Sequence, residues 1–163
     1  MIRAFALAVL LTLTACGLQP LYGGGNGGSV ATGLSTIKVA PIPERAGWLV
    51  RNALVDRLGA ELASPTYRLE VELDDNLTAF GIRGDSTATR ERRTLRARYR
   101  LISISNGQVV LDATAGSDAG IDIVSSEYAT VAAEQTAQER LAQAIADQMV
   151  SRLALFVRNS SGK

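Results

Sequence analysis

The chain has 163 residues, 17 of them basic and 16 acidic, with one cysteine and no histidine. That length suits one domain with a real core, and the even charge argues against a nucleic acid or other polyanion as the main partner. The lack of histidine excludes the usual nucleophile–histidine triads, a histidine general base and most zinc sites.

The N-terminus is the most specific stretch. Met1-Ile2-Arg3 precedes an apolar run over residues 4–13, which ends at Leu13-Thr14-Ala15-Cys16. This is the anatomy of a secretory signal peptide. The run is about half the roughly 20 apolar residues that a spanning helix needs. Its ending resembles a bacterial lipobox, in which the chain is cut before the cysteine and the cysteine is acylated. Residues 1–15 are therefore expected to be a lipoprotein signal peptide and Cys16 the lipid-attachment residue. Two or more acyl chains anchor stably, each buried CH₂ contributing about 0.8 kcal/mol. With its only thiol acylated, the protein has no disulfide and no cysteine nucleophile. Residues 16–35 read as the acylated cysteine and a flexible tether, because Gly23-Gly24-Gly25-Asn26-Gly27-Gly28 is too glycine-rich to hold a fixed shape.

Residues 36–163 read as a single domain. Residues 36–42 alternate and are β-branched, so they predict a short strand stopped by proline. Residues 43–63 predict a helix, with Val50, Leu54, Leu58 and Leu62 on one stripe and Ser64-Pro65 ending it. From Tyr67 to Leu77 apolar and charged residues alternate, the mark of a half-buried strand. A turn around Gly81-Ile82-Arg83-Gly84-Asp85 leads to a second long strand over residues 87–103.

Ser105-Asn106-Gly107 is a hairpin signal. A left-handed Gly107 in a three-residue loop sets Leu101 opposite Leu111, Tyr99 opposite Ala113 and Arg100 opposite Asp112. A slip by one residue would place Leu101 against an aspartate. The third strand runs over residues 108–117, and residues 116–122 show little pattern. Residues 126–157 predict one alanine-rich helix, roughly 45 Å long, with Ala137, Leu141, Ile145 and Met149 on its apolar stripe. Such a helix is long enough to outrun a small sheet and face a partner. The expected fold is α+β: two helices on one face of a four-stranded mixed sheet, in the order β-α-β-β-β-α.

One face of the second long strand carries Arg90, Arg92, Arg96, Arg98 and Arg100. Arginine's planar fork suits phosphate and carboxylate. The neighbouring strands also offer acids: Glu72 near Arg96, Glu70 near Arg98 and Asp112 beside Arg100, as cross-strand ion pairs. Near the turn, Arg83, Arg90, Arg92 and Arg93 have only Asp85 and Glu91 close in sequence. These four are the candidate contacts for an anionic ligand or a partner. No metal site and no cofactor beyond the acyl groups is expected.

Cys16-Gly17-Leu18-Gln19-Pro20-Leu21-Tyr22-Gly23 resembles the start of mature LptE-family lipopolysaccharide-assembly lipoproteins, in their alphaproteobacterial form. Val50-Arg51-Asn52-Ala53-Leu54, Pro65-Thr66-Tyr67-Arg68-Leu69 and Ser126-Glu127-Tyr128-Ala129 agree as well. So do Ala137-Gln138-Glu139-Arg140, Ile145-Ala146-Asp147-Gln148-Met149 and Arg152-Leu153. The resemblance implies two helices on a four-stranded sheet and a non-enzymatic role. It implies a lipid-anchored outer-membrane protein that plugs the lipopolysaccharide-translocation barrel LptD from the periplasmic side, and in some members binds lipopolysaccharide. Two other readings stay open: a lipoprotein that activates a cell-wall synthase, and a carboxylate-based hydrolase of envelope glycans.

Overall fold

The computed structural model describes residues 28–59, 64–82 and 88–161. The signal peptide, Cys16, most of the expected tether and Arg83 lie outside them. The elements are α1 (Ser29–Ser35), β1 (Ile37–Val39), α2 (Glu44–Leu58), β2 (Tyr67–Ile82), β3 (Ala88–Ser103), β4 (Val109–Asp122) and α3 (Glu127–Ser161). The sheet order is β1-β2-β3-β4. β1 runs parallel to β2, and the other pairs are antiparallel. This is the expected mixed four-stranded α+β fold, with one helix more than expected.

Side chains alternate across the sheet. Leu69 and Val71 of β2 and Leu95, Ala97, Tyr99 and Leu101 of β3 point inward and are buried. The helices bring Val50, Leu54 and Leu58 of α2 and Leu141, Ile145, Met149 and Leu153 of α3 to the same core. Fully burying one such side chain contributes about 1.5–3 kcal/mol. Ala142, Ala146 and Ala154 are also buried, and their small side chains let α3 lie close to its neighbours. Glycine at position 59 ends α2 with φ +89°, a left-handed conformation that costs glycine least.

The hairpin register is as the sequence dictates: Leu101 faces Leu111, Tyr99 faces Ala113 and Arg100 faces Asp112. Gly107 takes φ +71°. Four expectations need correction. First, the tether is shorter. Residues 29–35 are helical, and Leu34 is buried in the core. Val30 and Leu34 share one face of α1, and Gly33 lets that face close onto Val157. Second, β4 continues to Asp122. Its last stretch pairs with Arg90–Arg96, and its glycine and serine residues hid the alternation. Third, β2 reaches Ile82, and its register on β3 sets Glu72 opposite Arg98 and Glu70 opposite Arg100. That is two residues from the expected pairing and keeps the same faces. Fourth, α3 is no longer than the sheet: 35 residues make about 52 Å, and the 16 residues of β2 make about 53 Å, although no residue of α3 before Ala137 is buried and its first turns stay open to a partner.

Candidate functional site: the arginine-bearing sheet face

β3 is flanked on both sides, so its outward residues form a ridge along the helix-free face. Arg90, Arg92, Arg96, Arg98 and Arg100 all lie on it. The strands on either side carry acids on the same face: Glu70, Glu72 and Asp74 on β2, Asp112, Asp118 and Asp122 on β4. The face is therefore a basic strand between two acidic ones, and much of the ridge is neutralised in place.

The pairing is mainly diagonal. Arg98 donates to Asp112 at 3.3 and 3.0 Å, one step along β4 from its direct partner Thr114. Arg100 donates to Glu72 at 3.1 Å and sits 3.6 Å from Glu70. Sheet twist brings such diagonal neighbours within reach of long side chains. The hydrogen bond from Arg98, with its charge, holds the Asp112 carboxyl below its usual range. Arg90 donates to Asp122 at 2.9 Å.

Arg92 and Arg96 differ. Neither forms an ion pair with another described residue. The guanidinium of Arg92 lies 5.5 Å from the centre of the Phe80 ring, a cation–π arrangement that keeps its charge available. Arg96 faces Gly116 across the β3–β4 ladder, and its side chain fills the space that a Cβ at position 116 would take. It borders a groove of about 680 Å³ that crosses β2, β3 and β4, lined by Glu72, Asp74, Arg98, Thr114 and Gly116 among others. At the sheet edge the Gln148 amide accepts from the Gly116 N–H and donates to the Gly116 carbonyl, both at 3.2 Å. Those are the outward backbone groups of an edge strand.

The structure thus separates the candidates. Arg90 is paired but exposed, and Arg92 is exposed. Arg93 is turned away. It lies on the inward face and donates to Asp75 at 2.8 and 2.7 Å, with side-chain exposures of 16% for Arg93 and 13% for Asp75. Strand parity explains this, since 93 is odd like the buried 95, 97 and 99. Two of the three arginines suspected of structural pairing are paired, Arg98 and Arg100. Arg96 is not, although it belonged to that group. The hairpin register already placed Arg96 against a glycine, so the sequence held that signal.

Beneath this end of the sheet is a polar cluster. Gln138, buried on α3, donates to Asp75 at 2.8 Å. Burial pushes the Asp75 carboxyl up, but hydrogen bonds from Arg93 and Gln138 and the Arg93 charge outweigh it, leaving a net lowering. Glu91 lies beside Glu134 of α3. Burial, the charge of Glu134 and a hydrogen bond to it raise the Glu91 carboxyl, and Glu91 Oε2 is buried without a hydrogen-bond partner. Among the described residues no group of three or more metal-ligating side chains converges. No helix among them is long and apolar enough to cross a membrane.

A family model described as LptE, lipopolysaccharide-assembly, matches residues 34–153. Among solved structures, a lipoprotein from Caulobacter crescentus is 30% identical, with TM-score 0.69, over 82% of this chain and 98% of that one. Rare lipoprotein B from Shewanella oneidensis has TM-score 0.60 at 8% identity, over 77% of this chain and 96% of that one. Lipoprotein B from Nitrosomonas europaea has TM-score 0.60 at 8% identity, over 75% and 83%. The last two show the shared fold alone. No curated protein matches the chain.

Proposed function

The chain belongs to the LptE lipopolysaccharide-assembly family, and from that premise we propose that it partners and plugs the lipopolysaccharide-translocation barrel LptD and assists assembly of lipopolysaccharide at the cell surface. In this reading Cys16 carries the acyl chains that hold the protein on the periplasmic side of the outer membrane. The family is non-enzymatic. The protein then acts by binding, and needs no cofactor beyond its acyl groups.

The observation that carries the reading is the family match across the folded domain, from Leu34 to Leu153. The outer face supports it. A largely self-neutralised ridge with two available guanidinium groups, Arg92 and Arg96, suits selective contact with phosphates and carboxylates of lipopolysaccharide. The charge ladder around them limits indiscriminate attraction to anions. Exposed apolar residues at the same end, Leu77, Phe80, Tyr128 and Val131, offer contact area for a barrel wall.

Affinity capture from detergent-solubilised envelopes, with mass spectrometry of what is bound, tests the proposal. A large outer-membrane β-barrel should be recovered in stoichiometric amount. Recovery of an inner-membrane glycosyltransferase instead would favour the cell-wall synthase reading and overturn this one.

A further inference from the structure

We propose that the β3–β4 hairpin is a membrane-contact element that rests on the lipid surface to which Cys16 is anchored. The proposal builds on acylation of Cys16 and extends that reading to a second, non-covalent membrane contact.

Residues 102–110 read Ile102-Ser103-Ile104-Ser105-Asn106-Gly107-Gln108-Val109-Val110, nine residues with no charge. Just beyond them stand Arg100 and Asp112. Three aliphatic side chains of this stretch face solvent: Ile104 is 49% exposed, Val109 51% and Val110 38%. Part of the tip backbone is bonded within the hairpin. The Gly107 N–H donates to the Ser103 carbonyl, the Ser103 N–H to the Gln108 carbonyl, and the Gln108 N–H to Asn106 Oδ1. A tip with exposed aliphatic side chains and part of its backbone bonded internally suits the headgroup–acyl boundary, where apolar side chains reach the acyl region and the remaining backbone groups stay at the hydrated headgroup level.

Position selects lipid as the occupant. The Ile104 N–H donates to the Thr66 carbonyl, and the Thr66 and Tyr67 N–H groups donate to the Thr36 carbonyl. The hairpin base is therefore two strand spacings, about 10 Å, from the residue that follows α1. The seven residues of α1 add about 10 Å. Cys16 precedes Gly28 by 12 residues, a reach of at most about 40 Å. So the anchor joins the molecule at the hairpin end of the sheet. The opposite end, where Arg90 lies between Phe80 and Asp122, is a further 43 Å or so away along β2. The C-terminal turn of α3 reaches the hairpin end too, through the edge-to-face pair of Tyr67 and Phe156 at 5.7 Å. It carries the exposed Arg158, which favours anionic headgroups.

A second copy of the chain fits less well. Three aliphatic side chains fall far short of the roughly 800 Å² per partner that a stable dimer buries.

The test uses the full acylated chain in vesicles of phosphatidylethanolamine and phosphatidylglycerol. Cys16 is the only native cysteine, and acylation blocks its thiol, so a new cysteine takes up a single probe. An environment-sensitive fluorophore is placed at Ile104→Cys, at Val110→Cys and, as a far-end control, at Asp118→Cys. Flotation and the mass of the N-terminal peptide report the anchor separately. The expected result is a blue-shifted emission at 104 and 110, with several-fold more quenching by headgroup-region spin-labelled lipid than at 118. If the protein floats and all three probes are equally aqueous, the hairpin contact is overturned and the anchor stands. If the N-terminal peptide carries no acyl mass and the chain does not float, acylation fails and this proposal with it. Shielding at 104 without quenching by labelled lipid would identify a protein surface as the occupant, and also overturns it.

Discussion

Arg93 holds Asp75 through two parallel hydrogen bonds, 2.8 and 2.7 Å long, beneath the arginine ridge rather than on it. Gln138 of α3 completes the contact, so one carboxylate joins β2, β3 and α3. Removing one partner of such a largely buried pair leaves a stranded charge. Arg93→Met is expected to cost about 3 kcal/mol in urea denaturation.

The same pair makes stability fall in acid. The Asp75 carboxyl lies below its ordinary value of 3.8 in the folded protein. Its contribution is therefore present above that value and is lost as pH falls through the lowered folded value. Denaturation midpoints between pH 6 and pH 2 should drop more steeply for the wild type than for Asp75→Asn. Parallel profiles would refute the assignment.

Glu91 works in the opposite sense. Its carboxyl is raised above its ordinary value of 4.5, so the folded state favours its proton. The contribution is fully present below that value and is lost as pH rises through the folded value. At neutral pH the Glu91 and Glu134 charges face each other. Glu91→Gln removes one charge and supplies a donor to Glu134. A gain of less than about 1 kcal/mol is expected at pH 7, vanishing below the ordinary glutamate range. Melting at pH 7 and pH 4 checks this, and a destabilised variant at pH 7 would contradict it.

Gly33 and Val157 are a matched pair. A Cβ at position 33 would collide with Val157 Cγ1. Gly33→Ala alone is expected to cost about 1–3 kcal/mol through overpacking. In a Val157→Ala background that cost should shrink towards zero, a coupling that a double-mutant cycle measures directly.

For ligand contact, Arg92 and Arg96 replace Arg93 as the residues to test. Arg92→Gln with Arg96→Gln should weaken lipopolysaccharide binding while moving stability by less than about 0.5 kcal/mol per exposed site. The wild-type affinity should also fall with salt, as the screening length shrinks from about 10 Å at 0.1 M to about 3 Å at 1 M. Binding titrations of the double variant at two salt concentrations decide the matter. Wild-type affinity in the variant would remove these residues from the site.

Where periodicity is strong, the sequence specifies the fold closely. The alternation over Tyr67–Leu77, the four-residue spacing of Val50, Leu54 and Leu58, and Gly107 with its apolar cross-strand pairs all sit as their pattern requires. Short or small-residue segments hid their roles. Residues 29–35 are helical because α3 supplies a seat for Leu34, and nothing local in a glycine-flanked segment reveals that. The candidate site was legible as a row and not in its pairing. Diagonal reach along twisted strands decides which arginine meets which acid, and a shift of two residues in one register rearranges those partners without changing any face.

The seating of α1 on α3 also fixes an order of events. Val157 follows Gly33 by 124 positions, and α1 packs chiefly on α3. A chain that emerges N-terminus first has nowhere to put α1 until its last helix has emerged. Residues 29–35 therefore stay unseated while the rest of the chain is being made. They close onto the fold only when the C-terminal helix arrives, so the first described element of the chain is among the last to be seated. Hydrogen-exchange labelling of chains halted at successive lengths during synthesis should show the amides of residues 32–35 protected only once Val157 has been added.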